Sequence, residues 1–432
     1  MTGGKRRARR SPDLQHSAYA ERLIARAREL HEDDAFAPPE VRRGNAVSAA
    51  SAKAELAEGD RRSRHMVAAF AVVALAVAAF SLLLPYRGFD TMGSGGTIYA
   101  PKDVLDCYAL WFQMHVLPLF DTSLSGHAAK MLADFNDAHP DVTYSFVMRR
   151  ALATFIVVVC GLMLAVCGLL FQTAFRNPLA APTSLGVSDG VTLGCVIFAM
   201  LGNDAIGDSP VLYLVLVYGL GAASVVAVLL LSRAISGGRT YNVLDMLLIG
   251  TVLCQLLGGC SGYVQNFIMD YTQWYNFYDV QQANDALQSD LVCAVVLVVA
   301  AVTIVPALVL RFRFNLISFP DEEGRMMGVR ANLLRMGALA IGSVMELAAI
   351  ASIGQVAILS LAVPFLVRYM MPADFRSQLL GNALVGATVL LICFVLQHFA
   401  TLGIISMPVG TIVSVFIVPF FVWMVAFGHG RW

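Results

Sequence analysis

The sequence predicts an all-α polytopic membrane protein with about ten transmembrane helices. Hydrophobic residues make up 58% of the 432 residues and charged residues only 14%, whereas soluble domains carry about 25% charged residues. The apolar residues fall into long runs, and basic and acidic loops alternate between these runs. Together these observations indicate a chain that crosses a lipid bilayer many times.

Apolar runs define the candidate spans. A helix needs about 20 apolar residues to cross the hydrocarbon core. The runs lie near residues 66–84, 151–171, 185–201, 211–232, 243–262, 291–310, 336–353, 354–367, 379–400 and 409–427. The run at 354–367 is too short to cross alone, and interrupted segments of this kind often line a cavity in transporters.

The loop charges predict the orientation, because Lys and Arg concentrate on the cytoplasmic side of membrane proteins. Arg61, Arg62 and Arg64 precede the first span, which places the N-terminus inside. The loop from Asp270 to Asp290 carries only acidic charges and is therefore expected outside. Ten spans return the C-terminus to the inside.

The chain divides into two predicted parts. Residues 1–65 form a polar extension without the apolar stretch of a secretory signal, so we expect a cytoplasmic and disordered segment. Residues 66–432 form the transmembrane domain, with an extracytoplasmic loop at 85–148 and a cytoplasmic loop at 311–335.

Composition and motifs exclude several functions. A formal net charge of +0 argues against a nucleic-acid partner. The only lysine that follows a glycine, Lys5, is followed by Arg6, so the chain lacks a P-loop for ATP. Seven of the eight cysteines lie in or beside apolar runs, and none forms a C-x-x-C pair. We therefore predict no metal, no cofactor and no disulfide framework in this chain.

The stretch "FRNPLAAPTSLGVSDG" (175–190) contains the pattern G-x-S-x-G around Ser188. In hydrolases this pattern joins a strand to a helix, whereas here it follows a predicted membrane helix and a loop broken by prolines. A membrane-embedded hydrolase is therefore disfavoured, and no catalytic residue is predicted. Small residues instead favour close helix packing, which we also expect at the glycine pairs 161/168, 190/194 and 258/262.

Glu346 lies near the middle of the seventh predicted span. An ionised carboxylate at that depth is costly, so it should face a water-filled path or a partner, or be protonated. A pathway residue and a neutral, hydrogen-bonded Glu are both open. The pathway interpretation allows an ion-coupled secondary transporter as an alternative function.

The cytoplasmic loop contains the segment "LISFPDEEGRMMGV". Ser318 can cap a short helix whose first turn Pro320 and Asp321 favour. Gly328 would end this helix. A short helix with apolar side chains on the cytoplasmic face suits docking into a groove of a partner protein.

Four motifs in order, over residues 150–432, resemble the permease subunits of ABC importers for iron-siderophores, haem and cobalamin. They are "GLLFQTAFRNPLAAPTSLGVSDG" (168–190), "LISFPDEEGRMMGV" (316–329), "GQVAILSLAVPFLVR" (354–368) and "MPVGTIVSVFIVPFF" (407–421). The resemblance implies a type II ABC importer permease fold with an inverted repeat, in the cytoplasmic membrane of a prokaryote.

The resemblance also implies partners and site residues. It implies a second copy of the chain, two ABC ATPase subunits that hold ATP and Mg²⁺, an extracytoplasmic substrate-binding protein, and surrounding lipid. The ATPase-coupling residues would be Ser318, Phe319, Pro320, Asp321, Glu322, Glu323, Arg325 and Gly328. The pathway or gate residues would be Gln172, Asn177, Pro178, Glu346, Pro364, Pro408 and Gly410. Iron-siderophore, haem and cobalamin all stay open as substrates.

Overall fold

The computed structural model describes residues 61, 63–83, 99–116, 128–139, 143–201, 209–235, 243–267, 269–282, 287, 289–317, 331–371, 375–400 and 408–427. Within these ranges every regular element is a helix. The predicted extension at 1–65 lies almost wholly outside the described residues, so its disorder stays a prediction. The coupling residues from Ser318 to Gly328 also lie outside them.

Fourteen α-helices are described. They are α1 (Ser63–Leu83), α2 (Pro101–His115), α3 (Ala128–Ala138), α4 (Tyr144–Phe175), α5 (Val187–Met200), α6 (Pro210–Ile235), α7 (Val243–Phe267), α8 (Tyr271–Gln282), α9 (Asp290–Val309), α10 (Arg311–Ile317), α11 (Ala331–Ile353), α12 (Ala357–Met370), α13 (Phe375–Ala400) and α14 (Val409–Phe427). A 3₁₀ turn at Pro182–Leu185 precedes α5.

Ten of the described helices coincide with the ten predicted runs. Seven of them, α1, α4, α6, α7, α9, α11 and α13, are long and apolar enough to cross a membrane, and α5, α12 and α14 are shorter apolar helices. The prediction of an all-α polytopic fold is therefore confirmed. The third predicted span begins two residues later than expected, at Val187. Leu185 still belongs to the 3₁₀ turn, and Gly186 is left-handed with φ of 73°.

Helix α4 is the most buried of the long apolar helices that are described. It packs against α9, α11, α12 and α13. A helix that is covered on most sides needs apolar residues all round instead of a single stripe, and from Cys160 to Phe175 almost every side chain of α4 is buried. Helix α4 therefore lies at the centre of the hydrophobic core of the bundle.

Glycines allow α4 and α13 to touch through their backbones. A Cβ placed on Gly161 would lie 2.6 Å from the carbonyl oxygen of Gly386, and a Cβ on Gly386 would lie 2.4 Å from the oxygen of Gly161. Any larger residue at either position would force the two helices apart. The predicted close packing is confirmed at Gly161.

Helices α5 and α6 approach in the same way. A Cβ on Gly190 would lie 2.7 Å from the oxygen of Leu220, and a Cβ on Gly194 would lie 2.7 Å from Cα of Val217. For the third pair, a Cβ placed on Gly258 would lie 3.6 Å from Asp189 Oδ1, an ordinary contact, so close packing there stays a prediction. No described atom lies within 4 Å of a Cβ placed on Gly262, because that face of α7 is turned away from the described helices.

The predicted loop at 85–148 contains two helices, α2 and α3, and the start of α4. Buried side chains from these helices form a small apolar cluster separate from the main core: Tyr99, Val104, Cys107, Leu110, Phe135 and Val147. Tyr108 Oη donates a hydrogen bond of 3.1 Å to the carbonyl of Leu82 near the end of α1. Helix α2 is thus attached to the end of a membrane helix.

Candidate functional site

The turn after α4 contains two of the predicted pathway residues, Asn177 and Pro178, both half-buried. The amide of Asn177 donates to the carbonyl of Gln172 at 3.2 Å, and the amide of Arg176 donates to the carbonyl of Thr173 at 3.3 Å. This is the Schellman arrangement that ends a helix, and it requires a left-handed residue. Arg176 takes that conformation with φ of 50°.

The same turn contacts the cytoplasmic loop predicted to couple to a partner. Nε of Arg176 donates a hydrogen bond of 3.0 Å to the carbonyl of Ile317, the last residue of α10. Ser318, the first of the predicted coupling residues, follows Ile317 directly. Arg176 was not among the predicted site residues, although its position beside Asn177 in the quoted motif was a signal.

Gln172 joins α4 to α12. Its side chain is 1% exposed, and Nε2 donates to the carbonyl of Leu361 at 3.2 Å. Its Oε1 atom has no hydrogen-bond partner among the described residues. In this conformation Gln172 holds two helices together.

Pro364 lies inside α12 and is buried. Proline has no N–H to donate to the carbonyl four residues earlier, which is that of Ser360. Gly168 of α4 lies against this carbonyl, and a Cβ placed on Gly168 would be 1.7 Å from its oxygen. Pro364 therefore removes the usual helical donor to the Ser360 carbonyl, and Gly168 leaves space for that carbonyl where α4 crosses α12.

The break between α11 and α12 brings two more predicted residues together. Gly354 ends α11 with φ of 79°. A Cβ placed on Gly410, near the start of α14, would lie 1.9 Å from the carbonyl oxygen of Gln355. Pro408 precedes α14, and its carbonyl accepts the amide of Thr411 at 3.0 Å. The start of α14 therefore rests on the break.

Gln355 also links this break to α5. Its side chain is exposed, and Nε2 donates to Oγ1 of Thr192 on α5. Thr192 of α5 and Gly410 of α14 thus both lie against Gln355, which comes two residues before α12. The three short apolar helices meet at this residue. Gln355 and Thr192 were missed as site residues, because no sequence pattern relates two residues so far apart.

Glu346 lies on α11 and is 0% exposed. Neither of its carboxyl oxygens has a hydrogen-bond partner among the described residues. A buried carboxyl that makes no hydrogen bond to the described residues is a costly arrangement.

Ser188 lies in the first turn of α5, and its Oγ is buried without a hydrogen-bond partner among the described residues. The turn before it is a 3₁₀ turn and not the end of a strand. A nucleophilic serine needs a base within hydrogen-bond reach, and the described part of the chain offers none. The motif is part of the helix packing.

The exposed face of α7 carries polar groups at membrane depth. Gln255 is exposed midway along α7, and Gly259, Cys260 and Tyr263 line the same shallow groove. A polar side chain within a membrane helix is rare on a surface that faces lipid. This face is therefore suited to a water-filled path or to another protein surface.

The described residues thus form a polytopic membrane bundle, with seven long apolar helices, three short apolar helices that meet at one break, and a hydrogen bond from the turn after α4 to the end of α10. Residues 112–427 match the FecCD transport family. The chain belongs to this family, and the resemblance inferred from its four motifs is confirmed.

Two curated relatives illustrate the family. The chain is 31% identical over 292 residues to the hemin transport system permease protein of Yersinia pestis. The aligned region covers 67% of this chain and 84% of that protein. It is 30% identical over 269 residues to a probable iron chelatin transport system permease protein of Helicobacter pylori. This aligned region covers 61% of this chain and 77% of that protein.

A solved structure supports the fold. The inward-facing structure of a metal-chelate type ABC transporter matches 84% of this chain and 99% of its own, with a TM-score of 0.63 and 18% sequence identity. The chain is thus a multi-pass transport permease of an ABC importer family. Membership of this family does not favour the ion-coupled secondary transporter considered for Glu346.

Proposed function

We propose that this chain is the permease subunit of an ABC importer that moves an iron-siderophore, haem or a cobalamin-type substrate across the cytoplasmic membrane of a prokaryote. The observation that carries the proposal is the hydrogen bond from Arg176 to the carbonyl of Ile317. It ties the turn between the second and third spans to the residue before the coupling segment. Movement of that segment would therefore reach the bundle directly.

The basic loops support an orientation with both termini in the cytoplasm. Arg176 and Arg313 then lie on the cytoplasmic side, where the positive-inside rule places such residues. The same orientation puts α2, α3 and α8 outside. There an extracytoplasmic substrate-binding protein would deliver the substrate.

A second copy of the chain would cover the exposed face of α7. Gln255 and the glycines at 259 and 262 lie on that helix, which is little buried by the described residues. Small residues let two helices approach closely, and polar residues on facing helices line a path. The substrate would pass between the two copies.

Two separate ATPase subunits would bind ATP and Mg²⁺ and dock on the segment 318–328. The acidic residues Asp321, Glu322 and Glu323 suit a partner groove with basic residues. The chain itself would hold no nucleotide and catalyse no reaction. Its part is to turn closure of the ATPase pair into alternate opening of the path.

The first experiment is affinity purification in mild detergent followed by mass spectrometry. We expect the wild-type chain to recover an ABC ATPase, and we expect the triple variant D321K/E322K/E323K to lose it. The matched control is D204K/D208K, which reverses charges in the loop between the third and fourth predicted spans, on the side opposite the loop 311–335, and should keep the ATPase. Wild-type protein that recovers no ATPase would contradict the proposed function.

A further inference from the structure

Three polar side chains meet between α2 and the end of α3. Asp103 and Asp106 lie one helical turn apart on α2, and His139 directly follows α3. One ligand atom from each of the three residues lies within 4.8 Å of the others. They are partly exposed, with relative side-chain accessibilities of 25% for His139, 30% for Asp103 and 41% for Asp106. An ion from solution could reach them.

The distances within this cluster are too long for direct hydrogen bonds between His139 and the two carboxylates. His139 Nδ1 lies 3.7 Å from Asp103 Oδ1, and Nε2 lies 3.8 Å from Asp106 Oδ2. A hydrogen bond from nitrogen to oxygen is about 2.7–3.2 Å long. Two ligand atoms that each lie about 2.0–2.2 Å from one metal ion are at most about 4.4 Å apart, so one of the two ring nitrogens, but not both, can share an ion with the carboxylate that faces it.

The charge of the cluster also favours a cation. Two carboxylates that point into one space repel each other. Within the described ranges, the only ion-pair partner of either carboxylate is His139, which carries a charge only when protonated. A divalent cation would neutralise both carboxylates at once.

The imidazole is held in place before any ion binds. The ring of His139 lies 4.7 Å from the ring of Phe135 at an interplanar angle of 30°, and its amide donates to the carbonyl of Phe135 at 2.9 Å. Phe135 packs in the small apolar cluster with Val104 and Cys107. Packing against Phe135 therefore fixes the orientation of the imidazole, as the residues that surround the ligands do in known metal sites.

The thiol of Cys107 is not a fourth ligand. Its side chain is fully buried in the small apolar cluster, whereas the side chains of Asp103, Asp106 and His139 are partly exposed. The donor set is thus two carboxylate oxygens and one imidazole nitrogen. Imidazole suits transition metals, whereas Ca²⁺ and Mg²⁺ take oxygen ligands.

We propose that Asp103, Asp106 and His139 bind one divalent transition-metal ion, with water completing its coordination. The ion fastens α2 to the end of α3. Because Tyr108 of α2 also contacts the end of α1, the ion stabilises the attachment of both helices to the bundle. This site is separate from the transport path and does not rest on the proposed function. It also differs from the sequence-based prediction, which gave the chain no metal site.

The test is metal binding by the full chain in detergent, purified without a polyhistidine tag and stripped with a chelator. We expect ZnCl₂ titration to show one binding equivalent that His139→Ala and Asp103→Asn each weaken by about tenfold or more. CoCl₂ should give a visible absorption band in the wild type. His139→Cys should restore Co²⁺ binding with a new thiolate-to-cobalt charge-transfer band.

Asp134→Asn is the matched control, since Asp134 is an exposed carboxylate on α3 outside the cluster. It should bind zinc like the wild type. Circular dichroism of each apo variant would show that its helices have formed. The proposal fails if the folded wild type binds no Zn²⁺ or Co²⁺, or if His139→Ala and Asp103→Asn bind zinc as tightly as Asp134→Asn.

Discussion

Arg176 and Ile317 are 141 residues apart in the sequence, and a hydrogen bond of 3.0 Å from Nε of Arg176 to the carbonyl of Ile317 joins them. The bond forms although Arg176 occupies a left-handed conformation, with φ of 50°. For a residue with a Cβ atom this conformation costs about 1–2 kcal/mol. Glycine would avoid that cost but would lack the side chain that makes the bond.

Arg176→Gly should therefore separate folding from coupling. We expect the thermal unfolding temperature to stay the same or rise, because the left-handed strain is relieved. In proteoliposomes with the ATPase partner, we expect substrate-stimulated ATP hydrolysis to fall severalfold. The control is Arg313→Ala, which removes an exposed arginine from α10. Equal losses in both variants, or none in Arg176→Gly, would contradict the assigned role.

Gly161→Ala should destabilise the bundle by about 1–3 kcal/mol, as overpacking of a tight core does. The new Cβ would lie 2.6 Å from the oxygen of Gly386, which is backbone and cannot rotate away. Gly219→Ala on α6 meets no described atom within 4 Å and should be neutral or slightly stabilising. Unfolding curves in detergent give the comparison. An unchanged curve for Gly161→Ala would show that the helices are not in contact.

Glu346→Met should raise the free energy of unfolding by about 1–3 kcal/mol, since an unsatisfied buried polar group carries a penalty of that size. The side chain is 0% exposed and its oxygens lack described partners. Glu346→Lys should lower the free energy of unfolding, because it leaves a cation in the same place. A loss of stability in Glu346→Met would mean that the carboxyl has a partner in the folded protein. Substrate uptake by this variant tests its place in the pathway.

The attachment of α2 should weaken at alkaline pH. Burial raises the pKa of Cys107 from its ordinary value of 9.0 to about 11. Between pH 9 and 11 the unfolded thiol therefore loses its proton before the folded one, and stability falls as pH rises. Cys107→Ala should reduce this fall in unfolding temperature. An identical pH profile in wild type and variant would show that the thiol is not buried as described.

The membrane helices could be predicted because hydrophobicity is a property of each run by itself. No pairing information was needed to find the ten apolar segments. The close contact at Gly161 was also visible, since small residues have few other uses within a membrane helix. At Gly262 the same pattern meets no described neighbour, because a glycine face that looks outward has the same sequence as one that faces another helix of the same chain.

The contacts within the candidate site could not be predicted in this way. Gln355 lies within a motif quoted for the family resemblance, but its bond to Thr192 depends on how α5 and the break are placed in space. His139 lies far along the chain from Asp106, with a second helix between them. Helices α2 and α3 themselves were missed, because polar residues there concealed their apolar cluster.

The backbone contact between Gly161 and Gly386 has a mechanical consequence. Two helices whose peptide groups touch cannot slide past each other without breaking that contact, so α4 and α13 behave as one rigid body. Gly168 adds α12 to this body through the carbonyl of Ser360. We expect a hinge motion in this protein to turn these three helices together, with the relative displacement falling on the other helices.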